Sequence, residues 1–236
     1  MIATVDSRVT PELIRGLMLR GYRVNTLPPM SDLPEPMASH TDMLIARLGD
    51  DLITYADYCD SAAFALTDIL AEASHMRMHF CDERPGGVYP DDARLNVLAM
   101  GMTLFCKEDS VSPYMLRLAK ERGYRIVSVR QGYPACTVLK LNEEAAITAD
   151  EGMAKALEGC GIRVYRIQNG GISLPPYEYG FIGGAAGVHR GKVYFLGNHA
   201  THPSYRQIEE AIRAEGLTSI ALGGGGLVDL GGILFV

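Results

Sequence analysis

Three stretches of the chain repeat one short pattern: Gly21-Tyr22-Arg23-Val24, Gly123-Tyr124-Arg125-Ile126 and Gly161-Ile162-Arg163-Val164. Each follows a helix-like segment, and its glycine suits the left-handed residue that ends many helices. The residues after the glycine include a β-branched one, which favours a short strand. The recurrence predicts a fold built from repeated units of roughly 40 to 55 residues.

The segments between these copies complete the predicted unit. Thr10 is a good N-cap and Pro11 suits the first position of a helix. Helices are predicted on signals of this kind at 10–20, 60–73, 112–122, 150–159 and 202–215. Strand pairs with turn-forming residues at their centres are predicted between the helices at 43–55, 95–106, 137–148 and 182–196.

The fifth unit is split between the two ends of the chain. Its helix and last strand come first, and the apolar stretch 231–236 comes last. A free apolar edge strand would favour aggregation, so we expect 2–5 and 231–236 to pair. The sequence therefore predicts one α/β domain over 1–236, a five-bladed α/β propeller of ββαβ repeats. Its units lie near 39–85, 86–130, 131–175, 176–222, and 223–236 plus 1–38.

Composition narrows the function classes. The net charge of −6 disfavours nucleic-acid binding, which requires clustered Lys and Arg. No apolar run reaches the length of about 18 residues that spans a membrane, and the first ten residues lack a signal core. The five cysteines are scattered, as in proteins with free thiols. We expect a soluble cytoplasmic protein with no nucleic-acid or membrane partner.

The repeat pattern resembles the pentein fold of the guanidine-modifying enzymes and of a ribosome anti-association factor. Short pieces carry the resemblance: Gly-Val-Tyr-Pro-Asp-Asp at 87–92, Gln-Gly-Tyr-Pro-Ala-Cys at 131–136 and Gly-Phe-Ile-Gly-Gly-Ala-Ala-Gly at 180–187. The chain is similar to a small, divergent bacterial branch of that superfamily. The resemblance implies that the residues entering the first strand of each unit surround the mouth of a central channel. These residues are His40, Asp42, Asp91, Asp92, Asn96, Tyr133, Cys136, Gly183, Gly184 and Asp229.

The sequence departs from the chemistry that this resemblance implies. The last unit has no cysteine, and Asp229 stands about where the family's nucleophile would be. Cys136 lies in the third unit, where a histidine is expected. A rearranged site could use Cys136 as a thiolate activated by His40 and oriented by Asp42. The alternative is that Cys136 is a small buried strand residue.

The other candidates also have two interpretations. His40 and Asp42 would share one face of a strand, or would only make the loop before it polar. Asp91 and Asp92 could bind a cation or form a turn after Pro90. Asp229 lies among apolar residues, so it should be paired or functional.

Two further motifs give no prediction of a metal or cofactor. His199 and His202 lie in a strand-to-helix connection, and no third metal ligand is near them in sequence, so helix capping is a sufficient explanation. The glycine clusters lack the context of a nucleotide site. We therefore expect no metal and no cofactor.

Two functions remain open. The first is binding of a small guanidine, amidine or amino-acid-like ligand in the channel, with amidinohydrolase-like or amidinotransferase-like activity. The second is a non-catalytic binding or interaction module, like the anti-association factor. The sequence does not give an oligomeric state.

Overall fold

The computed structural model describes residues 1–236 and contains seventeen strands and seven helices. The strands are β1 (Ile2–Asp6), β2 (Arg23–Leu27), β3 (Ala46–Leu48), β4 (Asp51–Tyr55), β5 (Arg77–Cys81), β6 (Leu98–Met100), β7 (Thr103–Cys106), β8 (Arg125–Ser128), β9 (Val138–Lys140), β10 (Ala145–Thr148), β11 (Arg163–Arg166), β12 (Ile172–Ser173), β13 (Ala186–His189), β14 (Lys192–Phe195), β15 (Thr218–Ala221), β16 (Leu227–Val228) and β17 (Leu234–Phe235). The helices are α1 (Pro11–Met18), α2 (Thr41–Leu44), α3 (Cys59–Glu72), α4 (Pro113–Glu121), α5 (Pro134–Thr137), α6 (Glu151–Glu158) and α7 (Tyr205–Ala214).

Fifteen of the strands form five three-stranded sheets that share one topology. The sheets are β3-β4-β5, β6-β7-β8, β9-β10-β11, β13-β14-β15 and β17-β1-β2. In each sheet the first two strands pair antiparallel, and a helix then leads to a third strand that is parallel to the second. Strands β12 and β16 form a separate parallel pair. The repeat read from the sequence is therefore present five times.

The two ends of the chain lie side by side, as predicted. Strand β1 pairs antiparallel with β17, with Ala3 opposite Phe235 and Thr4 opposite Leu234. The Ile2 amide donates a hydrogen bond of 2.9 Å to the Val236 carbonyl. The fifth sheet is thus completed by the last strand of the chain.

Local sequence sets the helix ends. The side chains of Thr10, Ser112 and Asp150 each accept a hydrogen bond from the amide three residues on, which satisfies one of the free donors of the first helical turn. Gly21 and Gly123 follow helices α1 and α4 with φ of 84° and 79°, a conformation that costs glycine little. The predicted helices are confirmed with end shifts of a few residues.

Burial follows the same repeat. The central strands β1, β4 and β10 are buried at every position, whereas the outer strands β8 and β11 are half-buried or exposed. The buried apolar residues form four clusters, and the largest surrounds helices α3 and α4. No helix is long and apolar enough to cross a bilayer.

The start of the predicted hairpins is wrong in one respect. The first strand was expected at 43–48 in the first hairpin and at 137–141 in the third. The structure instead has one-turn helices, α2 and α5, before the short strands β3 and β9. His40 and Asp42 therefore do not alternate along a strand: His40 precedes α2 and Asp42 lies within it.

Contacts between units explain this difference. The Asp42 amide donates to the Gly231 carbonyl at 3.1 Å, and the Gly184 amide donates to the Cys136 carbonyl at 3.1 Å. The Leu230 and Gly232 amides both donate to the Gly184 carbonyl. These backbone groups thus bond to a neighbouring unit, and the hairpin ladders start only a few residues later. The closing strand, predicted over 231–236, is reduced to Leu234–Phe235 for the same reason.

Candidate active site

The entering segments of four units bring a thiol, an imidazole and several carboxylates together. Cys136 lies in α5, and its Sγ is 2.7 Å from the Asp42 Oδ2 in α2. Asn96 donates to the same sulfur at 3.2 Å. The Asn96 Oδ1 accepts a bond of 2.8 Å from the Ala135 amide, which fixes the orientation of the Asn96 amide group. The thiol is therefore held between a carboxylate acceptor and an amide donor.

His40 lies beside this pair and has no hydrogen-bond partner of its own. Its Nδ1 is 3.9 Å from Asp229 Oδ1, and its Nε2 is 3.9 Å from Asp6 Oδ2. The side chain is 1% exposed, and neither ring nitrogen is bonded. Buried imidazoles are normally hydrogen-bonded, so the two unbonded nitrogens of His40 leave room for a bond to an occupant of the site.

Asp229 is held by backbone amides and by close packing. Its Oδ2 accepts from Phe181 N at 2.8 Å, and its Oδ1 accepts from Gly231 N at 3.1 Å. A Cβ added at Gly184 would lie 1.9 Å from Asp229 Oδ1, so only glycine fits beside this carboxylate. Gly183 has a similar constraint, because an added Cβ would meet the Ala135 carbonyl oxygen at 2.2 Å. The two glycines thus let their backbone approach the Asp229 carboxylate and the Ala135 carbonyl closely.

The two adjacent aspartates after Pro90 have different positions. Asp92 is buried, its Oδ2 accepts a bond of 2.7 Å from the Tyr133 hydroxyl, and its Oδ1 has no partner. Asp91 is exposed and lies 3.5 Å from Arg94. The structure thus brings Asp92 and Tyr133 to the site and leaves Asp91 outside it.

A cavity of about 560 Å³ opens above these groups. Its buried polar lining residues, which we call its base, are His40, Asp92, Cys136 and Asp229. No lysine or arginine lines it. The remaining walls are largely apolar or aromatic, and the volume falls in the range of small-molecule sites. The cavity therefore presents carboxylates, a thiol and the His40 imidazole to an occupant, without a lysine or arginine to neutralise the carboxylates.

The electrostatics follow from burial. Burial raises the pKa of Asp42 to about 6, and the nearby Asp229 carboxylate adds to the rise while His40 opposes it. Burial also raises the pKa of Asp229. The pKa of the Cys136 thiol is well above its ordinary value, because of burial and then because of the Asp42 and Asp229 charges. The thiol is thus protonated at neutral pH and donates to Asp42.

One group of side chains has the composition of a metal site. His40, Asp42 and Cys136 each offer a ligand atom, and these atoms lie within 4.8 Å of one another. Two ligands of one tetrahedral zinc ion lie about 3.5 Å apart, given bonds of about 2.1 Å. The Cys136–Asp42 separation of 2.7 Å is a hydrogen-bond distance instead. His199 and His202 are bonded to Glu209 and to the Ser204 amide, so they do not converge on a common point.

Sequence reasoning missed Asp6 and Arg8. Asp6 ends strand β1 with no exposed surface, and the Arg8 guanidinium bonds to both of its oxygens at 2.5–3.2 Å. A carboxylate at the end of a buried strand, with an arginine two residues on, was the available signal. Asp6 is therefore a compensated carboxylate beside His40, unlike Asp42 and Asp92.

A larger cavity of about 780 Å³ lies at the hairpin turns and contains Gly183. Its arginine and lysine side chains already have hydrogen-bond or ion-pair partners within the protein. Arg47 donates to the Phe235 carbonyl, and Lys140 binds Glu143. The thiol and the unpartnered carboxylate atoms lie at the smaller cavity, which is the candidate active site.

The fold is similar to those of solved amidinotransferases and of a dimethylarginine dimethylaminohydrolase. An amidinotransferase of saxitoxin biosynthesis from Microseira wollei matches 91% of this chain and 73% of its own, with 14% identity and a TM-score of 0.54. A dimethylarginine dimethylaminohydrolase from Pseudomonas aeruginosa, solved with citrulline, matches 95% and 91%, with 12% identity and a TM-score of 0.54. An inosamine-phosphate amidinotransferase from Streptomyces griseus matches 92% and 78%, with 15% identity and a TM-score of 0.52. At such identities the likeness concerns the fold alone.

The chain belongs to a family of unknown function, DUF6873, whose family model matches residues 4–234. A search of curated protein sequences finds no match.

Proposed function

We propose that this protein binds a small guanidinium or amidinium compound in the 560 Å³ cavity and cleaves one of its C–N bonds with Cys136 as nucleophile. The observation that carries the proposal is the set of buried carboxylates around the thiol. The cavity has Asp92 and Asp229 in its lining and Asp42 against Cys136, and its lining contains no lysine or arginine. A planar cation with several N–H donors would satisfy these oxygens.

The same cation would activate the thiol. A positive charge beside Cys136 lowers the pKa of its thiol, which opposes the effect of burial. The proton of Cys136 can then pass to the Asp42 Oδ2, 2.7 Å away. The resting thiol stays unreactive, and binding of the ligand creates the nucleophile.

The proposed reaction has two steps. The Cys136 sulfur attacks the central carbon, the C–N bond to the leaving nitrogen breaks, and Asp42 passes the thiol proton to that nitrogen. Water then adds to the amidino carbon while His40 takes its proton, and the C–S bond breaks to give the free thiol and either a urea, from a guanidinium, or an amide, from an amidinium. His40 then releases its proton to solvent, and the leaving amine takes up one proton as ammonium. An acceptor amine in place of water would give amidino transfer.

We further propose that the five sheets are the blades of one ring, which forms a single domain over 1–236. Pairing of the chain ends supports it. So do the bonds between entering segments, which link Asp42 to Gly231, Gly184 to Cys136 and Ala135 to Asn96. The cavity would then be the mouth of a central channel.

Binding can be tested with a matched pair of compounds. Butylguanidinium and butylurea have nearly the same shape, and only the first is a cation. At about ten times its Kd the cation should raise the melting temperature by about 3 °C or more, whereas butylurea should not. Asp92→Asn should abolish most of this shift, and Asp91→Asn, the exposed neighbour, should retain it. Equal shifts with both compounds, or no shift with either, would contradict the proposal.

One observation favours the second candidate, a non-catalytic binding module. Burial and two neighbouring carboxylates raise the thiol pKa, so the unliganded protein has no thiolate. If the cation binds but Cys136 never reacts with an electrophilic amidine, the protein binds without catalysis. Cys136→Ala is the matched variant, because it removes the nucleophile and leaves all the carboxylates.

A further inference from the structure

The wall of the cavity differs from its base. Five aromatic side chains line it: Tyr89, Tyr133, Tyr177, Tyr179 and Phe181. The only charged group on the wall is Glu178, in the exposed loop between Leu174 and Gly180. Tyr89 and Tyr177 are about half exposed, which places them at the rim. An occupant that reaches from the base to the rim therefore meets acidic, aromatic and apolar groups along its whole length.

We infer that the ligand has no carboxylate: it is a guanidinium or amidinium whose far end is a second cation or an apolar group, as in agmatine. This inference rests on the proposed function and narrows its ligand. An amino acid such as arginine carries a carboxylate at the far end of its chain. The cavity offers that group no lysine or arginine.

The wall would penalise such a carboxylate for two reasons. A carboxylate placed against aromatic and apolar side chains loses water without gaining a partner. Glu178 adds repulsion between like charges. The wall favours a terminal ammonium, because this group can pair with Glu178 and lie over the face of a tyrosine ring.

The absence of lysine and arginine from the cavity thus contributes to its specificity. The base selects for a planar cation, and the wall rejects a negative charge at the other end. The structure assigns Glu178 the role of a specificity-determining residue, which favours amines over amino acids.

The test compares agmatine, arginine and argininamide by isothermal titration calorimetry with the full-length chain. Agmatine lacks the arginine carboxylate, and argininamide replaces it with a neutral amide. We expect agmatine to bind about tenfold or more tightly than arginine, with argininamide recovering most of that difference. Glu178→Lys should reduce the ratio of the agmatine affinity to the arginine affinity at least about fivefold, because agmatine then binds more weakly and arginine more tightly. Glu210→Lys, an exposed change of the same charge on α7, should leave the preference as it is.

The outcomes separate this inference from the proposed function. Arginine binding as tightly as agmatine would overturn the inference and leave the guanidinium site in place. Failure of all three compounds to bind, together with a flat response to butylguanidinium, would overturn both. An unchanged preference in Glu178→Lys would remove Glu178 as its source.

Discussion

The chain buries aspartates in two different surroundings. Asp51, at the start of β4, accepts bonds from Arg77, Arg122 and His79 at 2.6–3.2 Å. The arginines hold the pKa of that carboxyl well below its usual range, with Arg122 the larger influence. Asp42 and Asp92 each have an oxygen with no partner, and burial raises the pKa of both.

The difference shows which carboxylates hold the fold together and which serve a ligand. A buried carboxylate surrounded by cations joins elements: Asp51 connects β4 to β5 and to the end of α4. A buried carboxylate without a cation destabilises the fold unless something else supplies the charge. Two such groups at the site of one thiol, Asp42 and Asp92, are hard to explain as structural, and we take them as the reason to expect a cationic ligand.

The largest effect should come from the paired carboxylate. Asp51→Asn leaves two arginines without their partner, but they are 56% and 37% exposed, so the loss should be moderate. We expect the free energy of unfolding to fall by about 2 to 3 kcal/mol and the melting temperature by about 6 °C. Asp50→Asn is the control, since Asp50 is exposed one residue away. An equal loss of stability in the two variants would show that the bonds of Asp51 do not stabilise the fold.

A smaller effect of opposite sign is expected at the unpaired carboxylate. The pKa of Asp42 is about 6 in the folded protein, above the value of about 3.9 in an unfolded chain. Ionised Asp42 therefore destabilises the fold, with no cost below about pH 4 and the full cost above about pH 6. Asp42→Asn should match the wild type at pH 4 and exceed it by about 1 kcal/mol at pH 7, since Asn keeps an acceptor for the thiol.

Urea unfolding at pH 4, 5, 6 and 7 measures this difference. Asp229 and Asp92 remain in both proteins, so only the difference between the two curves reports on Asp42. If the variant is less stable than the wild type at pH 7, then ionised Asp42 stabilises the fold, as Asp51 does.

The repeat was readable from the sequence because its signals are local. Thr10, Ser112 and Asp150 are caps that act within one helical turn, and the glycines after the helices need only their own backbone conformation. The pairing of the chain ends followed from a general rule against exposed apolar edges. Each of these signals depends on residues that are close in sequence or on a property of every sheet.

The site was only partly readable, because its geometry depends on contacts between units. The sequence Asp91-Asp92 does not show which carboxylate turns inward. The two residues lie in one short helical turn, and the orientation of that turn determines which side chain is buried. The bond between Cys136 and Asp42 joins residues 94 positions apart. Asp6 and Arg8 lie near the start of the chain, and only the folded structure places Asp6 against His40.

We propose that the buried carboxylates attract a cation to Cys136. Chloroacetamidine and chloroacetamide test it most directly, because they carry the same leaving group and differ in charge. Peptide mass spectrometry would give the rate of alkylation at each cysteine, with the partly exposed Cys59 and Cys160 as internal controls. We expect the ratio of the amidine rate to the amide rate at Cys136 to be about tenfold or more above that of the controls, and to fall to the control value in Asp229→Asn. The same ratio at all three cysteines would contradict it.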